Sequence, residues 1–192
     1  MKKIIYFIEF LVVEFLFIIF KVIGYKSASN LGFFIGKNFG NFFRKKKSII
    51  ENLHKSKIVI DTSDKQFVNN VLGNYGRILA EYPFLKDFRK NKLEQFIRID
   101  GIENLDKIKI NNKPVVFISG HFNNFELMAM QIEKHGINLA AIYRPLNNVF
   151  LNKTMEMIRT KYICRNQIRK GRSGTRQILE NLKKGNSIAL MI

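Results

Sequence analysis

The stretch KPVVFISGHFNNFEL, Lys113–Leu127, decides how the chain is read. Pro114–Ser119 is a continuous apolar run bounded by turn residues, which reads as a strand buried on both faces, as in a parallel sheet. Gly120 breaks the run and lets the chain turn. From Phe125 an apolar-periodic segment leads to Lys134, His135 and Gly136, the basic residues and glycine that end a helix. In open α/β sheets ligands bind beyond the carboxyl ends of the strands, and His121 falls there. A helix beginning at His121 would carry Glu126 ~140° away, because each residue turns ~100°. The two side chains meet only if His121 stays on the loop and Glu126 sits in the first helical turn. A carboxylate beside an imidazole fixes its tautomer and stabilises the imidazolium, so the imidazole can take a proton from a hydroxyl. The same residues also fit a local role, with Asn123 as N-cap and Glu126 three positions later imitating a capping box. Spacing alone leaves both readings open.

Working outward, INLAAIY (Ile137–Tyr143) and NSIALMI (Asn186–Ile192) read as strands, and NNVFLNKTMEMIRTKY (Asn147–Tyr162) and SGTRQILENLKKG (Ser173–Gly185) as helices. On the other side, QFIRIDG (Gln95–Gly101) alternates like a strand, and ENLDKIKINN (Glu103–Asn112) is a short helix and turn. Strands alternating with helices over 96–192 imply an α/β architecture with a mostly parallel central sheet flanked by helices. Residues 24–95 read as helical. SNLGFFIGKNFGNFF (Ser29–Phe43) has apolar residues at helical spacing among glycines, which suits close packing or a membrane surface. Ser48 with Glu51 forms a capping-box pattern, and Ser63–Tyr82 keeps an apolar stripe through Phe67, Val71, Leu72, Ile78 and Leu79. The chain reaches Ile192 inside an apolar run, so a C-terminal truncation is expected.

Composition narrows the partners. The formal net charge of the 192 residues is +18, which attracts polyanions. The single cysteine, Cys164, rules out an intrachain disulfide, and no histidine near it in sequence suggests a nucleophilic thiol. Ile4–Ile23 is apolar and long enough to span a bilayer as a helix. Glu9, Glu14 and Lys21 interrupt it, and a carboxylate at mid-membrane costs roughly 2.5–3.5 kcal/mol. Glu14 and Lys21 share a helix face. Residues 1–23 therefore read as a membrane anchor helix, spanning or oblique in one leaflet, followed by one domain over 24–192. A cleaved signal peptide fits poorly, because the run is long, broken by acids and lacks a small-x-small site. Basic residues are denser after the segment, including RKKK at Arg44–Lys47, which places the body on the cytoplasmic side.

ISGHFNNFEL resembles the histidine-x4-acid motif of the lysophospholipid acyltransferase superfamily. It is similar in particular to the lipid A biosynthesis late acyltransferases, the lauroyl and myristoyl transferases, which carry His–Phe–Gly–Asn–Trp–Glu after a strand. His121, Phe122, Asn124 and Glu126 match; Asn123 replaces the glycine and Phe125 the tryptophan. The first change is mild, because Asn tolerates a left-handed backbone. IENLHKS with NYGRILAEY, IRIDGIENLDK, AAIYRPLNN, Arg159 and GRSGTRQILENLKKG extend the likeness over nearly the whole chain. The family's last strand leads into an Asp–Gln pair, which implies a further C-terminal part beyond Ile192.

The resemblance implies an acyltransferase of the bacterial inner membrane, with its catalytic part on the cytoplasmic face. It would move a fatty acyl chain from acyl carrier protein to a hydroxyl of an anionic glycolipid, the lipid A precursor, without metal or cofactor. His121 is then the general base and Glu126 its partner. Arg144, at the end of a strand, suits a phosphate of the glycolipid or developing negative charge, and Asn124, Asn148, Arg159 and Arg172 join it as substrate-binding candidates. A basic rim would steer the acidic donor protein and anionic lipid. The nearest alternative is a glycerophospholipid acyltransferase of the same superfamily, whose Glu–Gly–Thr–Arg segment is only partly mimicked by SGTR at Ser173–Arg176. A non-enzymatic alternative is a membrane-tethered nucleic-acid binder, for which no recognisable motif is present; GRSGTR is not a P-loop.

Overall fold

The computed structural model describes residues 2–42 and 46–192, which divide into two compact units, Glu14–Pro83 and Met1–Val13 with Phe84–Ile192. The first unit is helical. It takes the second half of α1 (Lys2–Ile23), then α2 (Tyr25–Phe39), α3 (Lys46–Ser56) and α4 (Asp64–Glu81). The α2 glycines pack closely against α4. A Cβ on Gly76 would lie 2.2 Å from the Gly32 carbonyl oxygen, and one on Gly36 would lie 2.3 Å from that of Leu72. The backbones themselves touch, so only glycine fits at the crossing. Ser63 caps α4, its hydroxyl accepting from the Gln66 amide at 3.3 Å. Ser48, expected to start α3, lies inside it instead. Ile49, Val68 and Leu72 join α3 to α4 as a buried cluster. Glu81 is buried and accepts from the Ser29 hydroxyl at 2.7 Å. Burial, then the Glu81 charge and hydrogen bond, push the Tyr25 phenol up to about 12. Of the RKKK run, Arg44 and Lys45 lie outside the described residues, and Lys47 faces Glu51 at 3.8 Å.

The tight crossing makes a direct prediction. Gly76→Ala must force α2 and α4 apart, and overpacking of this kind costs about 1–3 kcal/mol. Asn70→Ala, on the exposed side of the same helix, is expected to be neutral or slightly stabilising. Denaturant unfolding of the full chain in detergent reads both; equal midpoints would rule out the close crossing.

The second unit holds α5 (Leu85–Arg89), α6 (Ile102–Asn111), β1 (Val116–Ser119), α7 (Glu126–Lys134), β2 (Leu139–Tyr143), α8 (Val149–Ile158), β3 (Asn166–Arg169), α9 (Arg172–Lys183) and β4 (Ser187–Met191). The four strands form one parallel sheet in the order β1-β4-β2-β3. The α/β class and the parallel sheet expected from the sequence are therefore present. Ala140, Ile168 and Ile188 on neighbouring strands bury against Ile178 and Leu182 of α9. Leu85 and Phe88 of α5 and Met130 of α7 are fully buried, each contributing about 1.5–3 kcal/mol.

Three local expectations are corrected. β1 is an edge strand with Val116 50% and Ile118 62% exposed, not a strand buried on both faces. Gln95–Gly101 forms no strand, because its alternating residues find no neighbouring strand to pair with among the described residues. β3 was not anticipated; it is four residues long and only Ile168 is buried, too weak a pattern to read.

No described helix is long and apolar enough to cross a membrane. Glu9, Glu14 and Lys21 interrupt the apolar run of α1. Parts of the helix pack on protein. In its first half Phe7 meets Phe150 edge-on at 5.4 Å, and the Asn148 amide donates to the Tyr6 carbonyl at 2.8 Å and to Glu9 at 3.0 Å. In its second half Phe17 and Phe20 are buried, and Lys21 donates to the Pro83 carbonyl at 3.3 Å. Ile4, Ile8, Leu11, Phe15, Ile18 and Val22, spaced three and four apart, stay exposed along one face.

Candidate active site

The site is built at the carboxyl end of β1. A Cβ on Gly120 would lie 2.7 Å from the ring of Phe122, an exposed side chain that would have to shift. The Phe122 amide donates to the Gly120 carbonyl at 2.9 Å, which holds His121 at the tip of a tight turn. Asn123 has φ +41°, the left-handed conformation that the sequence comparison with a glycine led us to expect. α7 then begins at Glu126, and no side chain caps it. The local reading of this segment as an Asn-capped helix is thereby removed. Asn123→Gly is expected to preserve the melting temperature, whereas Asn123→Val, which forces a β-branched residue left-handed, costs roughly 1–2 kcal/mol. Equal thermal melts for Val and Gly would contradict the turn.

His121 is on the loop and Glu126 in the first turn, the condition under which the two can serve one site. They are not hydrogen-bonded to each other. The His121 ring is exposed and rests edge-on against Phe125, with centroids 4.8 Å apart. The buried Glu126 carboxylate is taken by Arg159, whose Nε and Nη2 donate to Oε1 at 2.8 and 2.7 Å. The carboxylate expected to hold His121 is engaged by Arg159. A guanidinium makes charge-assisted bonds to a buried carboxylate, and a neutral imidazole competes poorly with it. Arg159 stands at the end of α8, where the helix widens into a π turn, Arg159–Ile163. One turn earlier, Glu156 accepts from the Tyr143 hydroxyl at 2.5 Å. Burial, then that bond, raise the Tyr143 phenol, and the same bond lowers Glu156. The Arg159 guanidinium lies 5.8 Å from the Tyr143 ring centre, so Tyr143, Glu156, Arg159 and Glu126 form one connected set.

His121, Glu126, Tyr143, Arg144 and Arg159 all open onto one cavity of about 550 Å³ at the carboxyl ends of the strands. Arg169 and Lys170 line it too. Sequence reading missed them because it missed β3, which delivers them; the one signal was the basic pair ahead of Gly171. Asn124 and Arg172 do not line the cavity. Asn148 is buried elsewhere, its Oδ1 capping α8 by accepting from the Phe150 and Leu151 amides at 3.1 and 3.2 Å, and its amide holding α1. It clamps the start of α8 to the first half of α1. Cys164 is buried, donates to the Leu139 carbonyl, and its thiol is pushed up to about 11 by burial, which leaves it unreactive at neutral pH. His54 pairs with Asp64 at 3.0 Å and His135 with Asp106 at 2.8 Å, and neither histidine lines the cavity.

No curated protein matches the chain. The family model of the bacterial lipid A biosynthesis acyltransferases matches residues 1–192. With a histidine and a buried carboxylate at the mouth of a parallel sheet, and that match over its whole length, the chain belongs to the bacterial lipid A biosynthesis acyltransferase family and is an enzyme that transfers acyl groups.

Proposed function

We propose that the chain transfers a fatty acyl group from the thioester of acyl carrier protein to a hydroxyl of a lipid A precursor, with His121 as general base. The observation that carries this reading is the convergence of His121, Glu126, Arg144 and Arg159 on one cavity. His121 removes the proton of the acceptor hydroxyl as its oxygen attacks the thioester carbonyl. The tetrahedral intermediate collapses with cleavage of the carbon–sulfur bond, and the carrier thiol leaves with the proton held by His121. Glu126, clamped by Arg159, holds the start of α7 beside the His121 loop in the same cavity. No cofactor takes part in this scheme.

The exposed apolar face of α1 supports attachment to the inner membrane at its interface, with Glu9 turned to Asn148 and not to lipid. The cytoplasmic face is where an acyl-loaded carrier protein meets that surface, and the net charge of +18 favours both partners. The test uses membranes containing the chain, acyl-loaded carrier protein and an under-acylated lipid A precursor, with mass spectrometry of the lipid. A mass gain of one acyl group supports the reading. Transfer only to a lysophospholipid would replace it with the glycerophospholipid reaction.

A further inference from the structure

The cavity carries more positive charge than the acyl transfer itself requires. Its lining includes Arg144, Arg159, Arg169 and Lys170 against one carboxylate, Glu126. Arg159 and Glu126 neutralise each other. Glu156, on α8 nearby, accepts the Tyr143 hydroxyl. Arg144, Arg169 and Lys170 also line the cavity; of these Arg169 acts electrostatically on Glu156, and Arg144 is exposed at the end of β2.

Their placement follows from the sheet. Tyr143 is the register partner of Arg169, and the Lys170 amide donates to the Tyr143 carbonyl at 2.8 Å. Arg144 leaves β2 at the level where Lys170 leaves β3, one residue beyond Arg169, from backbones ~4.8 Å apart. Gly171 and Gly174 line the same cavity, and a Cβ on Gly174 would lie 2.2 Å from the Arg169 carbonyl oxygen, so the start of α9 is pressed onto the strand end. Two guanidiniums and an ammonium lining one cavity suit a tetrahedral phosphate oxyanion, which accepts forked bonds from arginine and a point charge from lysine.

We propose that Arg144, Arg169 and Lys170 form a phosphate-ester subsite of the cavity. It rests on the acyl-transfer reading for its biological ligand, and two phosphates fit that chemistry: the phosphate on the pantetheine arm of the donor and a sugar phosphate of the acceptor. Either would fix its molecule by the phosphate while the reacting atoms reach His121.

The test is calorimetric binding to the full chain in detergent, without turnover. The probes are 4′-phosphopantetheine against pantetheine, and glucosamine 1-phosphate against glucosamine. At least one phosphorylated probe is expected to bind ~10-fold or more tighter than its partner, the range of charge-assisted hydrogen bonds, and the pair that discriminates names the source. Arg169→Gln with Lys170→Gln should abolish that preference, and Arg169→Lys should retain part of it. All three side chains are exposed, so the variants should keep their near-UV circular dichroism. His121→Ala should keep the preference intact, which separates this subsite from the catalytic assignment. Equal binding within both probe pairs, or a preference that survives Arg169→Gln with Lys170→Gln, overturns the proposal.

Discussion

Replacing His121 with alanine is expected to lower acyl transfer by about 10²–10⁴-fold, the usual contribution of a positioned general base, without changing the melting temperature. The side chain is exposed, and its contact is the edge of the Phe125 ring. Its loss therefore removes little packing. His54→Ala and His135→Ala are the controls. Both histidines sit in exposed or half-exposed pairs with aspartates, so both variants should transfer at close to the wild-type rate. The readout is acyl gain on the lipid over time at saturating donor. A His121→Ala chain that transfers within a few-fold of wild type would remove the histidine from the chemistry and return the loop to a structural turn.

The second large effect is on Arg159. In the folded chain Arg159 and Glu126 are 14% and 8% exposed at their side chains and 2.7 Å apart. Removing one partner of such a pair strands a buried charge and costs about 3–5 kcal/mol. Arg159→Ala should therefore lower stability more than a change at the exposed Arg144. Glu126→Gln in the same background should recover much of the loss, because the amide needs no counter-charge. The double variant separates structure from chemistry. If the carboxylate serves His121, Glu126→Gln with Arg159→Met regains stability and stays inactive. If the pair only holds α7 to the end of α8, the double variant regains both. Arg159→Lys keeps the charge but loses the fork, so intermediate stability is expected. Melting curves and initial rates on the same four preparations give the answer.

Much of the site was legible because it is local. Strand, turn and helix follow one another within Lys113–Lys134, and the turn depends on two residues read directly from the chain. Gly120 makes room for Phe122, and Asn123 adopts the left-handed backbone its side chain tolerates. The placement of His121 on the loop and Glu126 in the first turn needed nothing from elsewhere. The parallel sheet was legible for the same reason, since apolar runs and helical periodicities alternate over short distances. β3 escaped because four residues with one buried side chain carry no pattern, and with it went Arg169 and Lys170.

What the sequence determined by itself was the class of fold, the family, and the position of the histidine beyond a strand. Those depend on residues within a few positions of one another. Tertiary structure alone decided the partners. Arg159 reaches Glu126 across 33 positions, and Asn148 clamps Tyr6 and Glu9 across 142 and 139 positions. The glycines of α2 turned out to face α4, not a membrane surface. In each case the side chain had several chemically acceptable partners. Which one it takes is set by where the fold brings a complementary charge, a carbonyl or a bare backbone within bonding distance. Spacing along the chain contains no measure of that distance.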